Sequence, residues 1–218
     1  MSRLIVITAL VFLILGPLGA FVGVLPPVIG FAIHALGGAV ALVAAVWAGI
    51  AWARRRQRRE LITIVLALPA LAAIAMTVVG VASHPRINDI TSDLADPPAL
   101  ADTPEYPESF KAIVSGSYPD VKTQVVARPA ADVFAAVVAI AESRDRWSIT
   151  LEDSEAGIVQ GVATTAVFRF QDDFTIRVRA VDGDPARAAI DMRSRSRDGK
   201  SDLGVNARRI REFFAEFH

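Results

Sequence analysis

From Leu4 to Ala53 no position carries a formal charge, and Leu61 to Ser83 adds twenty-three more charge-free positions. Spanning a hydrocarbon core of about 30 Å takes roughly 20 helical residues. The first run therefore holds two spans and the second holds one. Pro26-Pro27 is the natural fold point, because proline ends one helix and is tolerated at the first position of the next. The pattern predicts helices over about 4–25, 28–53 and 61–83, with Pro69 kinking the third. Gly19 and Gly23 form a G-x-x-x-G and Gly37-Gly38 adds small residues, which suit close helix approach.

Beyond Ser83 the pattern changes. Six prolines lie between 85 and 119. That density excludes a long helix or a central strand and predicts an extended segment, packed on the following domain through Ile87, Ile90, Leu94 and Leu100. Val121 to Arg128 reads as a strand. Pro129 then starts a helix whose apolar positions Ala130, Val133, Phe134, Val137, Val138 and Ala141 recur at intervals of three and four. Trp147 to Leu151 alternates like a strand, Glu155-Ala156-Gly157 turns the chain, and 158–170 reads as a further strand. Gln171-Asp172-Asp173 is expected in a hairpin turn or a bulge. Phe174, Ile176 and Val178 then alternate with Thr175, Arg177 and Arg179.

Asp182-Gly183-Asp184-Pro185 is a strong turn signal. In the last predicted strand, 187–197, Ile190 and Met192 share one face and Asp191, Arg193, Arg195 and Arg197 the other. The chain closes on an amphipathic helix with Asp202 or Ser201 as its cap and Leu203, Ala207, Ile210, Phe213, Phe214 and Phe217 as its buried stripe. Strand, helix, an antiparallel meander of about four strands and a helix make an α+β fold of helix-grip type. Such sheets can leave an apolar cleft beneath their helices. Three parts are expected: a three-helix transmembrane anchor over 1–83, a Pro/Asp-rich extended segment over 84–120, and an α+β domain over 121–218.

Charge sharpens this division. Basic and acidic residues number 23 each, yet residues 1–83 carry six Arg against Glu60 alone, and 84–218 carry 17 basic and 22 acidic residues. The Arg54-Arg55-Arg56-Gln57-Arg58-Arg59 loop is expected on the cytoplasmic side. That orientation puts Met1 and Arg3 inside and the C-terminal domain in the periplasm of a bacterial inner membrane. A cleavable signal peptide fits the first helix less well, since its apolar run is too long and no Ala-x-Ala site separates it from the second. The absence of cysteine excludes a disulfide scaffold, a Cys-ligated zinc site and a thiol nucleophile, and the charge balance excludes a basic nucleic-acid binder.

Candidate chemistry is sparse. His34 is the only ionisable side chain inside the predicted spans and reads as a hydrogen-bonded packing residue. Asp89, Asp93 and Asp96 lack the spacing of a calcium loop and read as turns of a solvated acidic strap. The densest polar signal is the run from Arg193 to Ile210, Arg-Ser-Arg-Ser-Arg-Asp-Gly-Lys-Ser-Asp-Leu-Gly-Val-Asn-Ala-Arg-Arg-Ile. Read structurally, Asp172 and Asp173 pair with Arg193, Arg195 or Arg197 across the sheet, Gly199 and Gly204 permit a tight turn, and Asn206 bonds backbone there. Read functionally, Asp172, Asp173, Arg193, Arg195, Arg197, Asp202, Asn206 and Arg209 form a site for an anionic ligand such as a lipid headgroup. Read catalytically, Asp172 and Asp173 serve as acid and base and Ser194 or Ser196 as nucleophile, although no nucleophile elbow is present.

Together with Phe170-Gln171-Asp172-Asp173-Phe174 and Ile87-Asn88-Asp89-Ile90-Thr91-Ser92-Asp93, this run resembles the domain of unknown function 1499 family of bacteria and plastids. Its pattern reads Arg-Ser-x-Ser-Arg-x-Gly-x-x-Asp-x-Gly-x-Asn-x-x-Arg-Ile, and the chain matches every position from Arg193. The resemblance spans about 84–218 and implies no particular activity, cofactor or substrate. The leading expectation is a non-enzymatic membrane protein whose periplasmic domain binds an envelope protein or an amphiphilic or anionic ligand, without cofactor or metal. An envelope hydrolase using Asp172, Asp173 and the Arg cluster is the alternative, and a structural subunit of a membrane complex is the third reading.

Overall fold

A computed structural model describes residues 2–101 and 103–217, so Met1, Asp102 and His218 lie outside the described residues. Two compact units emerge. One comprises the helices through Ser83, with which the short stretch Ala166–Arg169 also groups; the other comprises His84–Thr165 and the chain from Phe170 onward.

The helical unit holds α1 (Ser2–Phe21), α2 (Pro27–Arg55) and α3 (Arg58–Ser83), each long and apolar enough to cross a membrane. Helix α1 stops four residues earlier than the apolar pattern suggests, because Gly23 (φ +78°) turns the chain before Pro26 and Pro27 start α2. Gly23 is therefore a turn residue, with no neighbour within 4 Å of where its Cβ would lie, and the Gly19/Gly23 pair is not a helix-packing surface. Close approach involves Gly16 of α1, against the Gly30 carbonyl, and the glycines of α2. A Cβ on Gly37 would meet the Ala9 carbonyl of α1 at 2.7 Å, and one on Gly38 would meet Ile74 Cβ of α3 at 2.9 Å. Pro69 is accommodated inside a continuous α3. His34 Nδ1 lies 3.0 Å from the Leu13 carbonyl, a packing role.

The second unit is an α+β fold. Its six-stranded antiparallel sheet comprises β1 (Asp89–Thr91), β2 (Gln124–Val126), β3 (Trp147–Asp153), β4 (Ile158–Thr164), β5 (Gln171–Val181) and β6 (Asp184–Ser196). The spatial order is β1-β6-β5-β4-β3, with β2 also paired to β6. Helices α4 (Glu108–Ser117), α5 (Ala130–Ser143) and α6 (Val205–Phe214) complete it, with a short 3₁₀ turn over Ala215–Phe217. On β5 and β6, Phe174, Ile176, Val178, Ile190 and Met192 face one core with Val133 and Val137 of α5 and Ala207, Ile210 and Phe213 of α6. The space beneath the helices is filled by aromatic packing: the Trp147 ring centre lies 4.4 Å from that of Phe174 and 5.9 Å from that of Phe213.

Three local expectations change. Residues 158–170 are not one strand, since β4 ends at Thr164 and a connection leads to β5. Gln171-Asp172-Asp173 is neither a turn nor a bulge but the start of β5, in register with β4 and, through Asp172 and Asp173, with β6. The proline-dense segment is more ordered than its composition implies. It contributes β1, in a register pairing Asp89 with Arg195, and the ten-residue α4, which starts after Pro107. Ile87, Ile90 and Leu100 are buried, with Leu94 packed at the margin.

Candidate functional site

Strand alternation decides where the signature residues go, because neighbours along a strand point to opposite faces. Asp172, Ser194 and Ser196 face the helices; Asp173, Arg193 and Arg195 face the other way. The candidate residues therefore form two clusters separated by the sheet, not one site.

The cluster under the helices is a closed network. Arg209 of α6 donates through Nη2 to Asp172 Oδ2 at 2.5 Å and through Nη1 to Ser194 Oγ at 2.8 Å. Ser194 Oγ donates to Asn206 Oδ1 at 2.8 Å, and Asn206 Nδ2 donates to Ser196 Oγ at 3.1 Å and to the Asn88 carbonyl at 3.2 Å. All five side chains are buried. Asp172 thus pairs with the terminal helix, not with the sheet arginines expected from sequence, because its position on β5 aims it at α6.

Asp202 accepts from the Gly204 and Asn206 amides, both at 2.9 Å, and so caps α6 from three residues before the helix. Leu203 and Gly204 are left-handed (φ +53° and +78°), and a Cβ at Gly204 would collide with the His84 ring. This reversal takes Leu203 out of the predicted buried stripe, leaving it only half-buried. Burial pushes the Asp202 carboxyl above the usual carboxylate range; the amide hydrogen bonds oppose this shift and the Asp172 charge adds to it.

On the opposite face the proline-rich segment lies as a strap over the arginines. Arg193 forms a two-pronged pair with Asp89, at 3.0 Å (Nε–Oδ1) and 2.7 Å (Nη2–Oδ2), and both side chains are only 2% exposed. It also donates to the Pro98 and Pro104 carbonyls at 3.3 Å and lies 5.2 Å above the Tyr106 ring. Burial raises the Tyr106 hydroxyl well above the ordinary phenol range, helped by Asp89 and opposed by Arg193. Arg177 binds Asp96 at 2.7 Å and Asp93 and Asp191 at 3.1 Å, while Gln160 of β4 donates to the Ala99 carbonyl. Arg197 pairs with Asp173 at 2.7 Å near the surface, and Arg195 stands 4.0 Å from Asp89, partly exposed.

Asp89 and Asp93/Asp96 are thus distributed over different guanidinium groups, and no trio of His, Cys, Asp or Glu converges as a metal site among the described residues. The strap encloses an open cavity of about 390 Å³, lined by Asp96, Leu100, Tyr106, Glu108, Lys111 and Arg193 among others. Sequence reasoning over the site missed Asp89, Tyr106, Arg177 and Asp191. The detectable signal was the alternation that puts Arg177 and Arg193 on the face of Asp191, which demands counter-charges from elsewhere in the chain.

Chemically, Ser194 Oγ donates to an amide oxygen and accepts from Arg209, so its hydroxyl is held by neutral and cationic partners, with no base among its hydrogen-bond partners in the described residues. The geometry instead joins the strap and the last helix to the sheet. No curated protein and no solved structure matches the chain. The model of the family described as "Protein of unknown function (DUF1499)" matches residues 89–217, which takes in both clusters, and the chain belongs to that family.

Proposed function

We propose that the protein is a multi-pass component of a bacterial inner membrane that holds its α+β domain in the periplasm as a binding module for an envelope partner. The observation that carries this reading is the consumption of the signature charges by one another: Asp172 by Arg209, Asp89 by Arg193 and Asp173 by Arg197. Residues that build the domain are not thereby displayed for chemistry, which weighs against the hydrolase alternative. Aromatic filling beneath the helices weighs against a lipid held in the core. The partner would meet the strap, whose cavity is rimmed by Asp96, Glu105, Glu108 and Lys111. The five-Arg loop supports the orientation.

The cysteine-free sequence makes the topology directly testable. Asp198→Cys, in the exposed turn after β6, should react with an impermeant maleimide in cells whose outer membrane alone is permeabilised; Gln57→Cys should react only after full lysis. The reverse pattern overturns the orientation. A photo-crosslinking residue at exposed position Glu105 should give a discrete adduct in cells, whereas one at Asp182 should not. Equal labelling at both positions overturns the strap as the binding surface.

A further inference from the structure

Helices α2 and α3 are joined by two residues, Arg56 and Gln57, so Arg54, Arg55, Arg56, Arg58 and Arg59 gather at one end of the helical unit, all exposed. Glu60 is the only acid in residues 1–83, and it takes Arg59 at 3.1 Å while itself buried. Arg54, Arg55, Arg56 and Arg58 have no ion pair among the described residues. Charge alone is enough to orient the helices and sets no demand on shape. Arg56 carries more than charge. It caps α2 in the left-handed region (φ +51°), a position that ordinarily favours Gly, and its N–H donates to the Trp52 carbonyl at 2.7 Å. Its guanidinium carbon lies 4.7 Å from the centre of the Trp52 ring. A guanidinium resting on an indole face keeps N–H donors at its rim, where a phosphate accepts two of them side by side. Among the described residues no side-chain hydrogen bond of Arg56 occupies those donors.

The approach to this turn is apolar. Gly16 lies against the Gly30 carbonyl and Gly37 against the Ala9 carbonyl, an antiparallel register that puts Ser2, the start of α1, level with about Ala44. Helix α2 runs past that level to Arg55, about 16 Å at 1.5 Å per residue, and α3 returns beside it through the contact of Gly38 with Ile74. Trp47 and Ile50 of α2 and Leu61, Ile62 and Val65 of α3 are exposed on this overhang. Arg3, the one other basic side chain of residues 1–83 besides histidine, is exposed at its foot.

An exposed apolar hairpin tipped with unpaired guanidinium groups matches a phospholipid, whose chains cover the walls and whose headgroup meets the tip. Four unpaired cations favour a headgroup of net negative charge over a zwitterionic one. From this we infer that Arg56, with Arg54, Arg55 and Arg58 around it, binds the phosphate of an anionic phospholipid at the α2–α3 turn. The inference rests on the membrane-spanning reading of the helices and goes beyond it, because orientation by charge requires neither a bound lipid nor the contact of Arg56 with Trp52. It is independent of which side of the membrane the turn faces and of any partner at the strap.

The test uses the full chain, delipidated in a mild non-ionic detergent and offered equal amounts of phosphatidylglycerol and phosphatidylcholine, with bound lipid counted by native mass spectrometry. Phosphatidylglycerol should be retained several-fold over phosphatidylcholine. Arg56→Gly suits the left-handed backbone, so it should leave the unfolding midpoint unchanged or raised while cutting that preference several-fold. Arg56→Lys, which keeps the charge but not the planar fork, should cut it as well. Inorganic phosphate in large excess should not release the lipid, since it has no chains for the apolar walls. Equal retention of the two lipids by the wild type, an undiminished preference in Arg56→Gly or Arg56→Lys, or release by inorganic phosphate overturns the inference. Flotation with vesicles of phosphatidylcholine alone scores the spans separately: protein that floats yet shows no lipid preference counts against the site, and protein that fails to float counts against the spanning reading.

Discussion

Replacing Asp89 by Asn should be among the most damaging single changes in the folded domain. The substitution leaves Arg193, 2% exposed, with two carbonyl acceptors at 3.3 Å and no counter-charge. Removing one partner of a buried ion pair costs about 3–5 kcal/mol, because the remaining charge stays desolvated. The Arg197–Asp173 pair has the same 2.7 Å contact at 46% and 23% exposure, so solvent screening holds the loss for Arg197→Gln to at most about 1 kcal/mol. With a urea slope of about 2 kcal/mol per molar, the Asp89→Asn loss would move the unfolding midpoint down by about 2 M. The assay is urea titration of the full chain in detergent, read by Trp147 after Trp47→Phe and Trp52→Phe; Trp147 packs on Phe174 and Phe213 and is the domain's only tryptophan. The double change Asp89→Leu, Arg193→Met should recover most of the loss by removing both charges. If Asp89→Asn shifts the midpoint no further than Arg197→Gln, the strap is not held by this pair and the reasoning fails.

Two other outcomes follow from the same geometry. Because burial raises the Asp202 carboxyl, the native state keeps that proton where the unfolded chain has lost it; the contribution is complete below the ordinary aspartate range and disappears as pH climbs through the raised value. Asp202→Asn should remove this decline, so the stability difference between variant and wild type should change with pH across that window, and a flat difference curve contradicts the assignment. In the helical unit, Gly37→Val should lower the thermal midpoint in detergent, because its Cβ would meet the Ala9 carbonyl at 2.7 Å, whereas Gly49→Val, with nothing within 4 Å, should leave it unchanged.

How much of this was legible depends on the range of the interaction. The three helices long and apolar enough to cross a membrane follow from composition over runs of twenty or more residues, and no tertiary contact is needed to see them. The alternation in β5 and β6 is equally local, and it placed Ile190 and Met192 opposite Arg193 and Arg195 correctly. The strap was misjudged because its order comes from pairs such as Arg177–Asp93, 84 positions apart, to which proline content is blind. Asp172 and Asp173 were readable in principle. Adjacent residues of a strand cannot share a face, and treating them as a turn concealed that Asp172 belongs to α6 and Asp173 to the strap side.

The same alternation explains why the family pattern is written in charges. A sheet with helices on one face ordinarily leaves its other face to water, where unpaired arginines cost nothing. Here a proline-rich strap covers that face, and every cation beneath it needs an acceptor or it becomes a buried charge. Asp89, Asp93 and Asp96 supply carboxylates, and the Pro98 and Pro104 carbonyls supply further acceptors in the irregular stretch between β1 and α4. Asp172, Asn206 and Arg209 do the corresponding work on the other side, fixing α6 to β5 and β6. The two buried clusters therefore specify which segment covers which face of one sheet. Hydrophobic burial alone does not make that distinction, and a motif spread over residues 89–210 is what such a specification requires.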